Sequence, residues 1–184
     1  MSGGSGNWAD ETREKVSCGG EIVLTDEALQ EMFAGKVDEE FTHGVETIRV
    51  FRIGRWVYKI RRENFDVIEL HNKFFGDVTP YEKVANVADG TILYRQPFVE
   101  LMPGSGEEAR TELFEILKRR YSDVMRIEFE MWADGWHFDD LKDANLGLLK
   151  GSRKLAVLDC LIRQRTKEEV LDIWQRDSIA AELT

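Results

Sequence analysis

Apolar positions along the chain change rhythm several times, and each rhythm predicts an element. Thr25 followed by Asp26 and Glu27 reads as a helix N-cap with an acidic first turn. Leu29, Met32 and Phe33 then recur at helical spacing, and Gly35 can close the helix. Residues 46–53 and 55–61 are β-branched and aromatic and are punctuated by Gly54, which predicts a hairpin. A second helix is predicted from a cap at Asn64 to Phe75, with Val67, Leu70 and Phe74 as its apolar stripe and Gly76 as its stop. A strand over residues 91–101 follows a turn at Asp89-Gly90 and runs into the loop Pro103-Gly104-Ser105-Gly106. Ser105 and Glu108 form a capping box for a helix carrying Ala109, Leu113, Ile116 and Leu117.

In residues 122–132, Met125, Ile127, Phe129 and Met131 alternate with Arg126, Glu128 and Glu130. That is a strand rhythm, although the length also admits a helix. Two short apolar runs, 146–149 and 155–161, flank Gly151-Ser152 and predict a small hairpin. Thr166 and Glu169 form a second capping box, opening a last helix with Val170, Leu171 and Trp174.

Composition narrows the class. The 184 residues are 42% hydrophobic, enough for one domain or one small two-lobed domain with a real core. Residues 1–20 are polar and Gly-rich and read as a flexible tail. No apolar run approaches the roughly 20 residues that span a bilayer, so no membrane partner is expected. With 35 acidic against 25 basic residues, the net charge of −10 disfavours nucleic acid. Two distant cysteines, Cys18 and Cys160, fit a reducing compartment, and the expected location is cytoplasmic.

The candidate chemistry lies in residues 136–162, WHFDDLKDANLGLLKGSRKLAVLDCLI. A loop with Asp140, Lys142 and Asn145 precedes the predicted hairpin, which delivers Asp159 from the end of an apolar strand. A carboxylate to orient an attacking hydroxyl, with an amide oxygen and a second carboxylate to hold Mg²⁺, is what phosphoryl transfer requires.

The pattern D-L-K-x-x-N, a short strand pair and an apolar run ending in Asp resembles the catalytic core of the protein kinase superfamily. More narrowly, it resembles a minimal, atypical kinase-like protein of the phage and mobile-element type. The resemblance covers about residues 45–162. It implies that Asp140 is the catalytic base, that Lys142 contacts the transferred phosphate, and that Asn145 and Asp159 hold Mg²⁺. Val57-Tyr58-Lys59-Ile60 resembles the strand whose lysine pairs with nucleotide phosphates. Glu69 on the following helix is then the candidate partner of Lys59, with Glu63 and Glu82 as rivals. Residues 96–104, QPFVELMPG, resemble the hinge, where backbone near Glu100 and Met102 would meet adenine.

Departures from the family pattern are plain. No Gly-rich phosphate loop is visible. The usual His-x-Asp is His137-Phe138-Asp139-Asp140, so Asp139 rivals Asp140, and Asp-Phe-Gly is replaced by Asp159-Cys160-Leu161. Little chain follows Asp159, and it contains no Ala-Pro-Glu.

The expected fold is therefore α+β: a two-lobed kinase-like architecture with a truncated second lobe. Residues 21–100 would form a sheet with one helix, and residues 101–184 a short, mainly helical lobe carrying the catalytic loop. The expected activity is transfer of the γ-phosphoryl of ATP, with Mg²⁺, to a hydroxyl of an unknown protein or small-molecule acceptor. The alternative is a catalytically silent kinase-like interaction module; a third reading is an unrelated α+β binding protein.

Overall fold

The computed structural model describes residues 23–41, 47–62, 65–127, 130–159 and 161–182. Asn64, Glu63, both cysteines and the 1–20 tail lie outside them. The fold is α+β, and the chain divides into two compact units, residues 1–63 with 82–96, and residues 64–81 with 97–184.

The first unit holds β1 (Val23–Leu24), α1 (Asp26–Phe33), β2 (Glu39–Phe41), β3 (Thr47–Ile53) and β4 (Trp56–Arg61). After the excursion of α2 (Phe65–Phe75) into the second unit, β5 (Glu82–Val87) and β6 (Ile92–Pro97) complete a six-stranded sheet of order β1-β5-β6-β4-β3-β2. The Thr25 hydroxyl accepts from the Ala28 amide at 3.2 Å, so the predicted cap of α1 forms. Leu29 and Phe33 of α1 sink into a core with Phe51, Ile60, Val87 and Leu93. Phe33 meets Phe51 edge-on at 4.6 Å. Gly54, at φ +57°, makes the tight β3–β4 turn, which a side chain would strain.

The second unit contains α2, α3 (Gly106–Arg120), β7 (Val124–Ile127), β8 (Glu130–Ala133), β9 (Trp136–Asp139), β10 (Leu146–Leu148), β11 (Leu155–Val157), β12 (Leu161–Gln164) and α4 (Lys167–Glu182). A 3-10 turn over Asp143–Asn145 leads into β10. The strands form a sheet of order β12-β9-β8-β7 and a separate β10–β11 hairpin. Met131, Phe138 and Ile162 on one face of the larger sheet join Phe75, Leu113 and Leu117 in the main core. On the other face Ile127 and Trp132 pack with Val170 of α4. The second capping box forms as expected: the Glu169 amide donates to the Thr166 hydroxyl at 3.2 Å, and the Thr166 amide donates to the Glu169 carboxylate at 2.7 Å. Among the described residues no helix is long and apolar enough to cross a membrane.

Four expectations need correction. The second part of the chain is not mainly helical, because it carries two sheets. The helix of the first unit is α1, whereas α2 belongs to the second. Among the described side chains of α2, the buried ones are Ile68, His71 and Phe75, with Leu70 and Phe74 only partly covered. Ser105 does not cap α3; its hydroxyl donates to the Met102 carbonyl at 2.7 Å and accepts from the Leu148 amide at 3.0 Å.

Candidate active site

Strand β9 ends at Asp139, and the chain then turns sharply. Phe138 and Leu141 are both fully buried and anchor the turn on either side. Asp140 between them takes a left-handed conformation, φ +55°. That region costs a non-glycine residue roughly 1–2 kcal/mol, although Asp tolerates it better than most. The turn directs the Asp140 carboxylate outward, where its Oδ1 lies 2.6 Å from the Lys142 ammonium. This hydrogen bond, and the charge behind it, raise the pKa of Lys142.

Asn145 closes the loop. Its Nδ2 donates to the Asp140 carbonyl at 2.9 Å and to the Asp140 Oδ2 at 3.1 Å. The Asp140 carbonyl also accepts from the Lys142 amide, and the Lys142 carbonyl from the Asn145 amide, each at 2.8 Å. Helix α3 supports the loop from below, since Arg110 pairs with Asp143. Gly106 leaves room for that approach: a Cβ there would stand 2.6 Å from the Asp143 Cβ and 2.8 Å from its Cα.

The β10–β11 ladder brings Asp159 to the same place. Leu146 pairs with Val157, and the Asn145 carbonyl accepts from the Leu158 amide at 2.8 Å. Asp159 therefore follows directly on a residue bonded to Asn145. The segment after α2 fixes this end: Thr79 donates to the Val157 carbonyl at 2.9 Å, and the Tyr81 hydroxyl donates to the Leu158 carbonyl at 2.9 Å. The Tyr81 hydroxyl also lies 3.5 Å from Asp159 Oδ1. Tyr81 is itself held through its backbone by the side-chain amide of Asn72, at 2.7 and 2.8 Å.

Four of the sequence-predicted residues, Asp140, Lys142, Asn145 and Asp159, thus belong to one local arrangement in the second unit. Asp139 is separated from it. Its side chain is 15% exposed and pairs with Arg163 at 3.3 Å. Burial raises its pKa, against the opposing charges of Arg163, His137 and Arg165. Between the two rivals, only Asp140 engages Lys142 and Asn145. His137 is buried with Nε2 3.2 Å from Glu130, a packed residue of the sheet.

The remaining candidates are placed differently. Lys59 lies on β4 of the first unit, opposite Val50, and is 5% exposed. Glu69 lies on α2, in the second unit, where it lines a groove beside Lys73 and Trp136. The expected free backbone at Glu100 and Met102 is not found. The Glu100 carbonyl accepts from the Lys150 amide, and the Met102 amide donates to the Leu148 carbonyl, both at 2.8 Å. These bonds form the bridge between Leu101 and Leu149, which turns the amide and carbonyl of Leu101 to the opposite side.

The donor set suits a hard cation in type. With Nδ2 engaged on Asp140, the Asn145 Oδ1 makes no hydrogen bond among the described residues, and Asp159 supplies a half-buried carboxylate. Among the described residues, no group of three or more His, Cys, Asp or Glu side chains could hold a metal. Mg²⁺ needs only one or two protein oxygens beside waters and phosphates.

Arg110, Asp143, Thr79 and Tyr81 also shape the site and were not anticipated. Asp143 lies inside the loop motif itself, but nothing local in the sequence marks the other three. Comparison with models of protein families, with curated proteins and with solved structures finds no match.

Proposed function

We propose that the chain is a phosphotransferase that binds ATP with Mg²⁺ and passes the γ-phosphoryl group to a hydroxyl acceptor. One observation carries this reading. The Asn145 amide nitrogen is bonded to both the carbonyl and the carboxylate of Asp140, while the Asn145 carbonyl receives the amide adjacent to Asp159. The Asp140 carboxylate and the Asn145 amide are thereby held in one loop, and the backbone that carries Asp159 is tied to it. Asp140 would orient the acceptor hydroxyl and receive its proton. Lys142, held beside Asp140, would meet the transferred phosphate. Asn145 and Asp159 would hold Mg²⁺, which when bound neutralises phosphate charge. Lys59 is the proposed phosphate-pairing lysine of the first unit. Calorimetric titration with ATP, with and without Mg²⁺, tests the proposal: Mg²⁺-dependent heat supports it, and its absence at millimolar nucleotide removes it.

A second reading, a silent kinase-like module, draws on the internal use of the Glu100 carbonyl and both Met102 backbone groups. It predicts no turnover with any acceptor and weak or absent nucleotide binding in the same titration.

A further inference from the structure

The Tyr81 phenol faces two acceptors that are neighbours in sequence. Its oxygen lies 2.9 Å from the Leu158 carbonyl and 3.5 Å from Oδ1 of Asp159. The first is an ordinary O–H···O distance, and the second is longer than such a bond. A phenol has one proton to donate, so the carbonyl holds it and the carboxylate stands just beyond bonding reach. The ring itself has little freedom. The Asn72 side-chain amide bonds both backbone groups of Tyr81, at 2.7 and 2.8 Å. The His71 ring meets it edge-on, with centroids 4.7 Å apart, and Pro80 restricts the backbone on its N-terminal side. Tyr81 is 4% exposed, so water competes little for its hydroxyl.

The carbonyl that Tyr81 grips belongs to the peptide plane joining Leu158 to Asp159. One plane earlier, the Leu158 amide donates to the Asn145 carbonyl at 2.8 Å. Tyr81 therefore fixes the backbone entering Asp159 and also faces its carboxylate. Thr79 makes a matching bond of 2.9 Å, but to the carbonyl of Val157, one residue further from Asp159.

We propose that Tyr81 is a positioning residue for Asp159: its hydroxyl, through the Leu158 carbonyl and beside Oδ1, holds the carboxylate ready for Mg²⁺. A carboxylate ordered before the ion arrives loses less freedom on binding it. Partners of this kind around metal ligands are typically worth roughly 10–100-fold in affinity. The inference rests on the reading of Asp159 as a Mg²⁺ ligand and adds to it the residue that sets the strength of that site.

The test titrates the full-length parent, Tyr81→Phe and Thr79→Val with ATP, once in Mg²⁺ and once in EDTA, with urea denaturation of each alongside. Both variants remove one hydroxyl from one backbone carbonyl, so both should lose stability. Only Tyr81→Phe should weaken Mg-ATP, about tenfold, with its binding of ATP in EDTA unchanged. Thr79→Val should bind Mg-ATP as the parent does. A second measurement uses the parent alone: with tyrosine labelled at ¹³Cζ, the Tyr81 signal should shift when Mg²⁺ is added to the ATP-bound chain, because the charge beside the phenol changes. The inference is overturned if the two variants weaken Mg-ATP alike, as a merely structural role requires. It is also overturned if Tyr81→Phe binds as the parent does, or if the Tyr81 signal ignores Mg²⁺. In each of these outcomes the parent still binds Mg-ATP, and the phosphotransferase reading stands. A parent that binds ATP no better with Mg²⁺ than without it removes both.

Discussion

Asn145 and Asp140 are joined twice, through the Asp140 carbonyl and through its carboxylate, by a single amide nitrogen. This relationship fixes both the backbone turn and the side-chain direction of the proposed base. The other end of Asn145, its carbonyl, is tied to the segment that carries Asp159. Substitutions in this group should therefore separate affinity from turnover.

Asp159→Asn should weaken Mg-ATP binding more than Asp140→Asn, because it removes the proposed metal ligand, whereas Asp140→Asn removes the proposed acceptor-orienting carboxylate and should mainly lower turnover. Paired calorimetry and steady-state rates check this. Equal losses of affinity would mean that the two roles are wrongly assigned.

Asp140 also permits a conformational test. Glycine adopts its left-handed backbone without cost, so Asp140→Gly should leave stability within about 1 kcal/mol of the parent while abolishing turnover. Asp140→Val should lower stability by about 1–3 kcal/mol. Urea denaturation of the two variants measures the difference.

Gly106→Ala places a methyl group against the Asp143 backbone and Cβ, where no flexible side-chain end can yield. The expected loss is about 1–3 kcal/mol, with a shift of the loop that should lower turnover more than Mg-ATP affinity.

Asp139 should reveal itself through pH. Its pKa is raised in the folded chain, first by burial. The folded state therefore takes up this proton at higher pH than the unfolded state does. The penalty for its charge is full above the folded pKa, fades as pH falls through it, and is gone below the ordinary Asp range. Asp139→Asn should have a higher Tm than the parent near pH 7 and the same Tm near pH 3. Equal Tm values near pH 7 would mean that Arg163 offsets the burial.

Local chemistry in the sequence accounts for much of this. The caps at Thr25 and Thr166, the turns at Gly54 and Asp89-Gly90 and the β10–β11 hairpin all rest on neighbours within a few residues, and they formed where the pattern placed them. The loop residues Asp140, Lys142 and Asn145 lie close together for the same reason. Asp134-Gly135 carries a further local signal: both residues take positive φ, 43° and 88°, and close the β8–β9 hairpin as an Asp-Gly turn does. Ser105 departs from the pattern because a serine three residues before a glutamate satisfies the capping rule whether or not a tertiary acceptor claims its hydroxyl. Here Met102 does so, while Glu108 pairs with Arg153. The membership of α2 in the second unit depends on Thr79 and Tyr81 finding Val157 and Leu158, and no local pattern encodes a pairing at that separation.

That separation bears on how the chain is made. Residues 82–96 belong to the first unit but emerge after α2, and the bonds from Thr79 and Tyr81 span 78 and 77 residues. During synthesis the six-stranded sheet can close as soon as β6 has left the ribosome. Phe74 and Phe75 of α2 by then still wait for Trp136 and Phe138 of β9. The second unit is thus the late-folding one. A chain stalled before residue 157 should hold an ordered first unit and expose an apolar helix to chaperones and proteases.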